Sequence, residues 1–227
     1  DAAALAAAKE LAPSSGAIGV PALANGPTHR AALRCCAAAG LPITLHAAES
    51  GPAANVAASA SAAYGGAVRV GHGYKAVEAA LELCVDCDAA DATAMAGAVS
   101  SALGSLGVPP SLAFECCPTS SHLTKGWAGS VWREHPAAVL HRLRSAAGAG
   151  VALPAVTISS DDPSVFGTTL TDELILAADG VSGLGLGVEG VRQCAVNAVG
   201  AAFLPPHERA ALQKRFDAAW AAWQAAA

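Results

Sequence analysis

The stretch Thr157–Phe166, Thr-Ile-Ser-Ser-Asp-Asp-Pro-Ser-Val-Phe, closes an apolar run with two adjacent carboxylates and a proline. Adjacent carboxylates repel, so one of them needs a cation or a proton donor nearby. The run before them reads as a buried strand, and a polar turn follows it. The same order of helix, glycine, short apolar strand and polar turn recurs along the chain. A helix from Thr28 to Ala39 ends at Gly40, and Leu41–His46 reads as a strand. A helix from about Pro52 to Tyr64 is broken by Gly65-Gly66, and Ala67–Val70 is the next strand. Lys75–Leu83 is helical, and Leu112–Cys117 is a third strand. His135-Pro136 opens a helix with proline at its first position, and the fourth strand lies within Val151–Ile158. Ile18-Gly19-Val20 is a candidate for an earlier strand.

Strands that alternate with helices and read as near-continuous apolar runs indicate parallel pairing with both faces covered. The spacing predicts an α/β fold and one domain over residues 1–227. An alanine-rich stretch from Asp86 to Pro110 is expected to be an insertion or mobile loop with some helix.

Composition narrows the function classes. Of 227 residues, 53% are hydrophobic and 14% charged, and the net charge is -5. Much of the apolar content is alanine, and no window approaches the roughly 18 uninterrupted apolar residues of a membrane span. The mild acidity disfavours a nucleic-acid surface, which needs a basic stripe. The seven cysteines are irregularly placed, and Cys84–Cys87 lacks the second Cys or His pair of a zinc clip. Free thiols and the lack of a signal-peptide pattern lead to the expectation of a cytoplasmic protein. The chain begins at Asp1, inside a helical pattern, and is expected to be a processed product or a fragment.

In parallel α/β folds, chemistry collects at the carboxyl ends of the strands. Those ends carry His46 and Glu49, then His72, then Glu115 with Thr119-Ser120-Ser121, then Asp161 and Asp162. Each residue has an ordinary explanation. His46 alone would be a satisfied core histidine, Glu49 a carboxylate favoured by a helix N-terminus, His72 an incidental turn residue, and the aspartates helix caps. Four such coincidences at equivalent positions argue instead for one site. A divalent metal fits best, with His46 and Asp161 as N and O ligands for zinc. Zinc relieves the repulsion between the aspartates and lowers the pKa of a bound water towards about 7. His72 then holds the resulting hydroxide or stabilises charge, Glu49 carries a proton, and Asp162 is left to hydrogen-bond a substrate nitrogen. A cytidine-deaminase type of site is excluded, because the chain has no His-x-Glu and no Pro-Cys-x-x-Cys.

Four ordered motifs resemble those of the adenosine deaminase family of the amidohydrolase superfamily. Thr44–Glu49 (TLHAAE) resembles T-x-H-A-G-E, and Arg69–Tyr74 (RVGHGY) resembles R-I-G-H-G-Y. Phe114–Trp127 (FECCPTSSHLTKGW) resembles E-x-C-P-x-S-S-x-L-T-G-x-W. Ser159–Leu174 (SSDDPSVFGTTLTDEL) resembles N-T-D-D-P-x-x-F-x-x-T-L. The resemblance implies a partial (β/α)8 TIM barrel with roughly the last four or five strands, the first strands missing. It implies zinc-dependent deamination of adenosine to inosine and ammonia. His46 and Asp161 match zinc ligands, Glu49 the proton donor to purine N1, His72 the histidine that orients the hydroxide, and Asp162 a residue that contacts the purine. N6-methyl-AMP and adenine deaminases share the pattern, so a small purine nucleoside or nucleotide is the expected partner.

The sequence departs from the family in two respects. There is no His-x-His, the source of two further zinc ligands, and Ala48 stands where the family has glycine. The chain alone is therefore expected to bind zinc poorly and to show little deaminase activity. The reading of another class is a non-catalytic relative that acts as a scaffold or interaction protein. His122 and Lys125 are expected to be surface groups.

Overall fold

A computed structural model describes residues 27–85, 87, 91–148 and 150–226. The candidate strand at Ile18–Val20 lies outside these residues. Four short strands form the sheet: β1 (Thr44–Ala47), β2 (Arg69–His72), β3 (Ala113–Cys116) and β4 (Ala155–Ile158). They pair in sequence order and every pair is parallel, with Thr44 beside Arg69, Arg69 beside Ala113, and Ala113 beside Ala155. Helices connect them: α1 (Pro27–Ala38) precedes β1, α2 (Ala54–Ala60) follows it, and α3 (Tyr74–Glu82) and α4 (Ala92–Ser105) bridge β2 to β3. α5 (Pro118–Thr124) and α6 (Pro136–Ala146) lie between β3 and β4. After β4 come α7 (Pro163–Phe166), α8 (Leu170–Ala178), α9 (Gly187–Ala201) and α10 (Pro206–Ala226). In-order parallel strands joined by helices are the repeating unit of a (β/α)8 barrel, and these four strands make part of one.

The two-residue alternation of a strand sorts the side chains. Val70, Phe114 and Val156 are buried on the helix-facing side, in one core with Tyr74, Val77, Val99, Leu103, Leu140 and Leu153. His46, Arg69, Gly71, Glu115 and Thr157 face the other way and line a cavity. Deeper in that cavity, Arg69 Nε lies 2.7 Å from Glu115 Oε1, and the Thr44 hydroxyl donates to Glu115 Oε2 at 2.8 Å. Arg69 also donates to the Ala201 carbonyl and stacks 3.6 Å over the Phe203 ring, which ties the end of α9 to the sheet.

The alanine-rich stretch holds more helix than expected. Among its described residues is the 14-residue helix α4, started by the Asp91 carboxylate, which accepts from the amides of Thr93 and Ala94. Ala96, Val99, Ala102 and Leu103 are buried, so α4 is a regular layer helix rather than a loop. Small side chains permit its close packing, a property that low sequence complexity conceals. All seven cysteines are free thiols, and no described helix is long and apolar enough to cross a membrane.

An open parallel sheet leaves unpaired backbone groups at its outer strands. The amides of Ala155 and Ser159 donate to Leu112 and Cys116 of the β3 segment, so the carbonyl of Val156 points to the free side of β4. The Asn197 side-chain amide of α9 donates to that carbonyl at 2.8 Å. Replacing Asn197 with alanine is expected to destabilise the chain by about 1–3 kcal/mol, the cost of a buried acceptor left without a donor. A urea unfolding curve reads this as a lowered midpoint at unchanged slope.

Candidate active site

Three strand ends turn sharply at the same side of the sheet. Ala48 after β1, His72 at the end of β2 and Asp161 after β4 have positive φ angles of 56°, 69° and 58°. A side chain in this left-handed region costs roughly 1–2 kcal/mol, which explains why glycine suits the Ala48 position. The turns swing His72 and Asp161 towards each other. His72 Nε2 lies 3.5 Å from Glu49 Oε2 and 3.8 Å from Asp161 Oδ2. The His46 ring stands 5.1 Å from the His72 ring, beside Gly71, where an added Cβ would come within 3.1 Å of it.

His72 is almost wholly buried. Burial pushes its pKa down, and the opposing pull of Glu49 and Asp161 does not offset this, so the ring is neutral at neutral pH. Its Nδ1 is buried without a hydrogen-bond partner.

Both carboxylates are held by α5. The Ser120 hydroxyl donates to Asp161 Oδ2 at 2.7 Å, and the Thr124 hydroxyl donates to Glu49 Oε1 at 2.9 Å. α5 is pinned in turn. The fully buried Glu173 accepts from the Thr119 amide and the Thr168 hydroxyl, and the Cys117 amide donates to the Tyr74 hydroxyl oxygen. Ser121 sits 2.9 Å from His135 Nε2 and donates to the Pro118 carbonyl. His135 Nδ1 accepts from the Ala137 amide, so the ring proton sits on Nε2 and points at Ser121.

His46, His72, Cys117, Asp161 and Asp162 line one cavity of about 360 Å³. The donor atoms of His72, Cys117 and Asp161 lie within 4.8 Å of one another. Imidazole nitrogen, carboxylate oxygen and sulfur suit zinc, and His46 lies on the same cavity outside that tight set. Burial, reinforced by the charges of Asp161 and Glu173, pushes the Cys117 thiol up to about 12, so it is protonated and would have to give up that proton to hold a metal. Asp162 is exposed at the N-cap of α7 with no capping bond of its own, which leaves its carboxylate free.

All five residues singled out from sequence therefore converge: Glu49, His72 and Asp161 in direct proximity, with His46 and Asp162 around the same space. Cys117 was missed as a potential ligand because its motif placed it only as one of two adjacent thiols. Ser120, Thr124 and Glu173 were missed as supports, although the Ser-Ser-x-Leu-Thr run carried the signal for two of them. Lys125 is exposed as expected, whereas the reading of His122 as a surface group is corrected. The His122 ring lies 5.0 Å from Trp132 and 6.0 Å from Trp127, and this aromatic packing half-buries it.

The adenosine deaminase family model matches residues 18–219. The adenine deaminase of Rhizobium rhizogenes is 34% identical over 177 residues, 78% of this chain and 44% of that protein. The aminodeoxyfutalosine deaminase of Streptomyces coelicolor is 39% identical over 111 residues, 49% of this chain and 25% of that protein. The fold is shared with a zinc-bound amidohydrolase from B. ambifaria, at TM-score 0.56 and 21% identity over 83% of this chain and 43% of the other. Ordered strands, converging site and matched model together place the class, a deaminase-type partial barrel. The chain belongs to the adenosine deaminase family, and it spans less than half the length of the curated relatives it matches.

The support around α5 carries a pH signature. Burial pushes His135 down to about 3, so the folded ring stays neutral while the unfolded ring titrates near its ordinary value of 6.5. Between these values the unfolded chain binds the extra proton, so the stability held above pH 6.5 is lost as pH falls towards 3. The slope from this one group approaches about 1.4 kcal/mol per pH unit. Denaturation midpoints measured from pH 7 to 4 should fall less steeply in His135→Gln.

Proposed function

We propose that this chain carries the proton-transfer and substrate-facing residues of a zinc-dependent purine deaminase, which replaces an exocyclic amino group with oxygen and releases ammonia. The observation that carries the reading is the approach of the Glu49 and Asp161 carboxylates to one nitrogen of a buried, neutral histidine. His46 and Asp161 are the proposed holders of zinc, with His72 and Cys117 as the neighbouring donors. The ion would supply activation of the attacking water.

This chain's own residues do the rest. Glu49 protonates a ring nitrogen, so that the ring accepts electron density as the nucleophile adds. His72, locked by burial between His46 and Tyr74, aligns the nucleophile. Asp162 accepts a hydrogen bond from a nitrogen of the purine. The particular substrate we propose is adenosine, converted to inosine. The names of the relatives make adenine, N6-methyl-AMP and aminodeoxyfutalosine the comparisons to run beside it.

The test is ammonia release from these four substrates by the natural polypeptide that carries this chain, with Glu49→Gln as control. One purine should be turned over, and Glu49→Gln should cut kcat by at least about 100-fold with the fold unchanged. Wild-type activity on none of them would overturn the enzymatic reading and favour a scaffold. Metal analysis adds a second check: the 227-residue chain by itself should hold well under one equivalent of zinc, and Asp161→Asn should lower that further.

A further inference from the structure

Glu49 is gripped at the end of α5 in a way that makes its two oxygens different. The Gly126 amide donates to Thr124 Oγ1 at 3.3 Å. That hydroxyl has one proton, and its best-placed acceptor is Glu49 Oε1 at 2.9 Å, against 3.5 Å to the Ser121 carbonyl. Oε1 is therefore held as an acceptor. Oε2 is the oxygen turned to His72 Nε2. Gly126 grips the same side chain by shape. A Cβ there would lie 2.6 Å from Glu49 Cγ and 3.1 Å from Oε1, so only glycine lets the carboxylate lie against this turn. Lys125, between the two, has φ +64°, which brings the Gly126 amide back to the Thr124 hydroxyl.

We propose that Thr124 and Gly126 are positioning residues for the acid–base group, and that the relay from the Gly126 amide through the Thr124 hydroxyl reserves Glu49 Oε2 for the transferable proton. The role rests on the reading of Glu49 as proton donor. In the step, the proton leaves Oε2 for a ring nitrogen of the substrate, and the carboxylate left behind keeps the Thr124 bond on Oε1. The relay thus stabilises the product state of the transfer and fixes its direction. Ser120 does the equivalent service for Asp161 from the same helix, so one seven-residue element sets the aim of both acids.

The first test needs no activity. In the chain labelled with 13C-glutamate, the Glu49 Cδ signal should match wild type in Thr124→Ser, which keeps the hydroxyl. It should move in Thr124→Val, which keeps the shape and loses the hydroxyl. An unmoved Cδ signal in Thr124→Val, or one that moves as far in Thr124→Ser, overturns the grip. The second test is kinetic, in the natural polypeptide and with the purine it turns over. Thr124→Val should lower kcat by about 10- to 100-fold with KM nearly unchanged, and Thr124→Ser should stay within about threefold of wild type. Gly126→Ala should match Thr124→Val in kcat. Wild-type kcat in Thr124→Val, or no rescue by serine, overturns the proposal. If no purine is turned over, the enzymatic reading fails, and the Cδ result still decides the grip. Thr124 is exposed at a helix end, so its variants should melt as wild type does.

Discussion

Parallel pairing is the constraint on which this molecule depends. Strands running the same way, in register, must all present their carboxyl ends on one side of the sheet. Pairing of Ala47 with His72 and of Glu115 with Thr157 then sets the site before any side chain is chosen. The pairing also requires a crossover helix for each strand, and those helices bury Val70, Phe114 and Val156. The opposite face is left free for polar groups. A chain with so few charged residues can place most of its useful ones in a single cavity for this reason.

Each strand end bears a cost in backbone strain. Ala48, His72 and Asp161 adopt a conformation that L-residues avoid, and three such turns persist because the surrounding core over-determines them. The strain converts a row of parallel strand ends into a convergent cluster. α5 does the complementary work from the other side, since it carries no reacting group yet touches both acids. It is itself fixed by Glu173, Tyr74 and His135, all buried and all hydrogen-bonded to α5 or its approach. The site is thus a product of two layers, the strand ends and the brace over them.

The electrostatics follow from burial more than from charge pairing. His72 and His135 are both driven neutral by loss of water, and Cys117 is kept protonated by the same effect. Two carboxylates next to a neutral ring form an acidic recess suited to a cation. Glu115 lies on the same cavity but is paired with Arg69 and the Thr44 hydroxyl, so it does not compete for that role.

Much of this was legible in the sequence. Short apolar runs closed by glycine or proline marked all four strands, because buried parallel strands need unbroken apolar surface and their turns need punctuation. Histidine and carboxylate at the ends of those runs marked His46, Glu49, His72, Asp161 and Asp162, because polar groups that close a buried strand have few ordinary uses. The sequence could not show that α4 is a packed helix, because alanine carries no pattern bold enough to separate helix from loop. Nor could it show the packing of His122 against two tryptophans, which the turn after α5 folds back onto it, the nearness of Cys117 to Asp161, or the grip of Thr124 and Gly126 on Glu49. The last two depend on distances between residues some 40 to 75 positions apart, which only the folded packing of strand ends against α5 brings together.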